Sequence, residues 1–156
     1  EFGPFGEETD PRARGDLLDE GLDLLAQIWS GEPVAHAGPQ YRVDGLRFLP
    51  RPRQPGGVPL WAATESTRGR AVRRAARLDG VFPIGLTPEQ VPELLASIDA
   101  SRPTEKRDRP FDVVVMEGDH PGPWAETGVT WWLRLLPYDL PLAEARRIVA
   151  SGPPAV

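Results

Sequence analysis

The stretch "VPLWAATESTRGRAVRRAAR", Val58 to Arg77, places Thr64, Glu65, Ser66, Thr67, Arg68, Gly69 and Arg70 between an apolar run and an Arg-rich helical pattern. A tight strand-to-helix turn needs little more than a Gly or Asn and one capping residue. Three hydroxyls, a carboxylate and two guanidinium groups exceed that need. Hydroxyls and backbone N–H groups donate hydrogen bonds, arginine neutralises a dianion through a planar fork of donors, and a helix N-terminus carries the positive end of the helix dipole. The chemistry these residues suit is the holding of an anion, a phosphate above all. Each also has a plainer reading: Thr64, Ser66 and Thr67 as helix caps, Arg68 and Arg70 as surface charges. Arg73, Arg74 and Arg77 lie further along and read as the solvated face of the helix. A Glu65 side chain pointing inward would repel a phosphate, so it is expected to face other parts of a ligand or to pair with an arginine.

Other chemistries find less support. His36 and His120 are the only imidazoles, and neither lies near a carboxylate pair at metal-ligand spacing, so no metal site is expected. Absence of cysteine excludes disulfides, thiolate catalysis and zinc–thiolate sites. No Ser-His-Asp set and no glycosidase-like carboxylate pair stands out. A net charge of −5 argues against a nucleic-acid or membrane-surface role for the whole chain. No window approaches 18 uninterrupted apolar residues and no signal pattern opens the chain, so the expected compartment is the cytoplasm.

The elements that must position the loop can be read from periodicity. Asp10-Pro11 opens a helix, with Leu18, Leu22, Leu25 and Trp29 at helical spacing and Ser30-Gly31 at its end. Residues 33–57 carry three short extended pieces, "VAH", "QYRV" and "LRFL", divided by Gly-Pro and Asp-Gly turn signals, and read as a β excursion. From Val58 the pattern alternates: strand "VPLWAA", helix Gly69 to Leu78, strand "VFPI", a helix opened by "TPEQ", a charged linker "SRPTEKRDRP", and strand "FDVVVM". A "WAET" turn, a strand "TWWLRLL" and a helix from Leu142 to Ala150 follow. In that strand Trp131 and Trp132 point to opposite faces and read as core.

Alternating strands and helices imply a parallel sheet with right-handed crossovers, either doubly wound or a (β/α)8 barrel. About four βα units follow Val58, whereas a whole barrel needs eight and typically about 250 residues. The expected fold class is therefore α/β, with residues 1–156 forming only the C-terminal half of a TIM-barrel type (β/α)8 domain.

The ordered segments "EFGPFGEETDPRARGDLLDEGLDLLAQIWSGEPV", "GPQYRV", "FLPRPRQP", "VPLWAATESTRGRAVRRAARLDGVFPI" and "GVTWW" resemble the C-terminal half of the luciferase-like flavin-dependent monooxygenases and oxidoreductases. The resemblance implies an enzyme that oxidises a small organic substrate with reduced FMN or a deazaflavin. It also implies that the loop from Ala63 through Thr64, Glu65, Ser66, Thr67, Arg68 and Gly69 to Arg70 helps hold the cofactor phosphate. Members of that family often have a Gly pair where Ala63 and Thr64 stand. Redox chemistry would belong to the cofactor, and no catalytic residue is named in this half, which is expected to be inactive alone. The alternative is a non-catalytic half-barrel remnant or accessory subunit. Half a barrel leaves sheet edges and an inward face uncovered, so the chain is expected to form a homo-oligomer or to pair with a missing N-terminal half.

Overall fold

The structure is a computed structural model that describes residues 2–54, 57–116 and 120–153. Its contacts divide the chain into two compact units, residues 1–58 and residues 59–156.

In the first unit a 3-10 turn, Gly3–Phe5, precedes helix α1, Pro11–Ile28. The helix starts where its residues dictate: the Asp10 carboxylate accepts the N–H groups of Arg12 at 3.0 Å and Ala13 at 2.8 Å, and Pro11 occupies the first turn, where its missing N–H costs nothing. Strands β1, Val34–Ala37, and β2, Arg42–Leu46, form an antiparallel two-stranded sheet of their own, with an irregularity between Val34 and His36. The third extended piece, "LRFL", is not a separate strand. Leu46 ends β2, and Phe48 and Leu49 are exposed beyond it.

Glu20 of α1 binds this hairpin. Its carboxylate contacts His36 Nε2 at 2.7 Å and accepts the N–H groups of Gln40 and Tyr41 at 3.0 Å each. Gly38 is dictated by that arrangement, since a Cβ there would collide with the Glu20 carboxylate and lie 2.6 Å from His36 Nε2.

The second unit contains β3, Trp61–Thr64; α2, Arg70–Ala76; β4, Gly80–Pro83; a 3-10 turn, Pro88–Gln90, leading into α3, Val91–Ser101; β5, Asp112–Val115; β6, Trp131–Trp132; and α4, Leu142–Ala150. Gln90 caps the entry to α3 by accepting the Thr87 N–H at 2.8 Å. The four strands form one parallel sheet in the order β3-β4-β5-β6. This is a mixed α/β fold with an open sheet, not a closed barrel.

Side chains alternate across the sheet. One row, Ala62, Thr64, Val81, Pro83, Val113 and Val115, is buried together with Val72, Ala75 and Ala76 of α2 and Val91, Leu94 and Ile98 of α3. The helices therefore cover that face. The opposite row is largely open, with Trp61, Ala63 and Trp131 exposed and Phe82 half-buried; Gly80 and Val114 are its buried members.

Three further expectations need correction. Strand "TWWLRLL" shrinks to two residues, because β6 pairs only with β5 and the last rung of that ladder is Leu133 N–H to Val115 O at 2.7 Å. The helical turn expected at "WAET" lies slightly earlier, as a 3-10 turn Gly122–Trp124.

The third correction is the charged linker, which hides a structural centre. Arg102 is buried, with Nη1 donating to Ala76 O at 3.3 Å and Leu78 O at 3.2 Å, Nη2 to Arg109 O at 3.3 Å, and Nε to Lys106 O at 3.0 Å. Its guanidinium carbon lies 4.6 Å from the Phe111 ring centre. A cation thus satisfies carbonyls at the C-terminal end of α2, where helix carbonyls lack intrahelical donors. Among the described residues, no helix is long and apolar enough to cross a membrane.

Candidate functional site

β3 delivers its last residue, Thr64, into the loop that leads to α2. Thr64 is almost fully buried, and its hydroxyl folds the turn: Oγ1 donates to Ser66 O at 2.8 Å and accepts the Ser66 N–H at 3.2 Å. Ser66 Oγ in turn accepts the Arg68 N–H at 3.2 Å. Thr64 is thus a scaffold residue, its side chain turned to the helix-covered face.

The helix-cap reading of the hydroxyls does not hold. The residue at the cap of α2 is Gly69, at φ 99° and ψ −162°, which has no side chain to cap the helix. Glycine is needed here because an L side chain is strained at this φ, and open space lies where its Cβ would be. Ser66 is exposed and Thr67 half-buried, and among the described residues Thr67 makes no side-chain hydrogen bond. The Ser66 hydroxyl uses an acceptor position on Arg68 N–H, which leaves its proton to donate.

Charge around the loop is arranged differently from the simple expectation. Arg68 Nη2 lies 2.7 Å from Glu93 Oε1, in the first turn of α3, and both side chains are exposed. Arg70 opens α2 and is exposed, as is Glu65. Among the described residues Glu65 forms no ion pair with an arginine. Arg73 and Arg77 are exposed, but Arg74 is buried, so the expected solvated arginine face covers only part of the helix. Ala63 is exposed on the open row of the sheet, facing away from Thr64.

At the other end of the strands lies a cluster that sequence reading passed over. Asp112 accepts Trp61 Nε1 at 3.1 Å on Oδ2 and Trp131 Nε1 at 3.0 Å on Oδ1, and the two indoles lie 6.2 Å apart, tilted by 46°. Gly80, between β3 and β5, has no room for a Cβ, which would come within 2.6 Å of both Asp112 O and the Trp61 ring. Trp131 is half exposed here and not part of the core. The signal available was Asp-Val-Val-Val opposite a Gly-led strand, but only the register joins Trp61, Gly80 and Asp112 in one row.

A family model for luciferase-like monooxygenases matches residues 1–118, a span that contains α1, the hairpin, β3, the loop and β5. The chain belongs to the luciferase-like monooxygenase family. Uncharacterized proteins of Mycobacterium bovis and Mycobacterium tuberculosis are 27% identical to it over 106 residues, which cover 68% of this chain and 35% of theirs. The crystal structure of DmoA from Hyphomicrobium sulfonivorans is similar in fold, with a TM-score of 0.53 at 19% identity over 70% of this chain and 28% of DmoA. The chain thus spans about a third of the length of these curated relatives.

Proposed function

We propose that this chain supplies half of the cofactor-binding barrel of a flavin-dependent monooxygenase or oxidoreductase that acts on a small organic molecule with reduced FMN or a deazaflavin. Family membership over residues 1–118 carries the proposal. The sheet supports its architectural part. Successive parallel strands that are also neighbours, with helices on one face, are what right-handed crossovers build in a barrel segment.

The cofactor phosphate is assigned to the loop from Ala63 to Arg70. The loop's chemistry fits a phosphate: it follows the carboxyl end of a strand, its hydroxyls do not cap the helix, Gly69 offers backbone without a side chain, and Arg68 and Arg70 supply positive charge. When bound, the cofactor would supply the electron transfer, while this chain's residues hold and orient it and exclude water.

The test is reconstitution at the full natural length of the protein with FMN or a deazaflavin, followed by flavin absorbance and oxygen uptake with candidate substrates. Binding accompanied by substrate-dependent oxidation is the expected result. A full-length protein that binds neither cofactor would favour the remnant or accessory-subunit reading.

A further inference from the structure

We infer that Glu93 is a positioning residue for the cofactor site, a competing carboxylate that holds the Arg68 guanidinium and so sets how readily the loop takes a phosphate. The inference rests on the phosphate reading of the loop. Arg68 Nη2 lies 2.7 Å from Glu93 Oε1, a contact that joins the β3–α2 loop to the first turn of the next helix, α3. The α3 N-terminus steadies Glu93, because a carboxylate in a first turn interacts favourably with the helix dipole. Arg68 is 77% exposed and Glu93 47%, so the pair is weak enough to open.

An incoming phosphate competes for the same guanidinium, and a dianion offering several acceptor oxygens outbids a single carboxylate contact when the backbone N–H groups and hydroxyls of the loop act with it. Glu93 therefore lowers phosphate affinity by acting through Arg68. This mechanism differs from simple repulsion between Glu93 and the ligand, which would persist without Arg68.

The experiment uses the full-length protein and two probes, FMN and riboflavin, or the phosphorylated and dephosphorylated deazaflavin if FMN does not bind. Dissociation constants are measured by calorimetry for wild type, Glu93→Gln, Arg68→Ala and the double variant, with thermal melts to verify folding. Glu93→Gln should tighten FMN by about 2- to 5-fold, the equivalent of an exposed ion pair, while leaving riboflavin unchanged and having no effect in the Arg68→Ala background. Equal tightening with and without Arg68 would mean through-space repulsion and overturn the inference, as would an unchanged or weakened FMN affinity in Glu93→Gln. If Arg68→Ala weakens FMN no more than riboflavin, the phosphate reading of the loop fails and this inference falls with it.

Discussion

At the scale of single residues, the loop separates into a buried scaffold group and an exposed polar group. Thr64 belongs to the first: buried, with its hydroxyl closing the turn onto Ser66. Replacing it by Val removes both hydrogen bonds and leaves Ser66 O without that donor, so denaturant melts of Thr64→Val should show a loss of about 1–3 kcal/mol. Ser66 and Arg68 belong to the second group. Charge-assisted hydrogen bonds are worth about 1.5–3 kcal/mol each, so replacing both with Ala in the full-length protein should weaken FMN or deazaflavin binding roughly 10- to 100-fold or more. The dephosphorylated cofactor should bind the double variant almost as well as wild type, because it lacks the group that those side chains would contact in the proposed phosphate role. Equal loss of both ligands would make the loop structural. Sequence singles out the loop because its composition exceeds what a turn needs. It could not divide the roles, since Thr64, Ser66 and Thr67 differ not in chemistry but in which side of the strand end each occupies.

Elements were legible where periodicity is long and local, and obscure where a contact crosses from one element to another. Asp10-Pro11 announces α1, and Gln90 announces the start of α3. Arg102 announces nothing: within "SRPTEKRDRP" it looks like any solvated cation, yet it holds the C-terminal carbonyls of α2. Arg102→Met should therefore destabilise the second unit by about 2–3 kcal/mol in urea melts, since the buried carbonyls lose a charged donor. A variant as stable as wild type would show those carbonyls to be satisfied otherwise.

The attachment of α1 to its hairpin gives a prediction with a sign. Burial raises the Glu20 pKa, but hydrogen bonds from His36 and from the N–H groups of Tyr41 and Gln40 outweigh it and hold the carboxyl below the ordinary glutamate value. A carboxylate with a depressed folded pKa contributes stability that is fully present above its unfolded pKa and is lost as pH falls through the folded one. Acid titration of the melting temperature should show that loss in wild type. In Glu20→Gln the acid limb should be flatter and the neutral-pH stability lower.

For the molecule as a whole, the decisive feature is asymmetry between the two faces of the parallel sheet. Helices bury one row, while the other shows Trp61, Phe82 and Trp131, joined at the strand ends by Ile84, Met116 and Leu135, all exposed or half-buried. Exposed apolar surface of this kind favours association, and parallel strands at both edges of the open sheet leave N–H and C=O groups for another chain to pair with. In the half-barrel reading this row is the barrel interior, to be covered by further strands. Residues 1–156 alone should therefore elute as dimers or larger species in size-exclusion chromatography with light scattering, at protein concentrations of tens of micromolar. Polar substitution within the row tests the cause directly. Phe82→Ser together with Leu135→Ser should raise the monomer fraction, because neither side chain is part of the helix-covered core, whereas a polar change at Val113 should unfold the unit instead. A wild-type monomer with a sharp cooperative melt would show that the open face is stable in water and would remove the physical reason for a missing half.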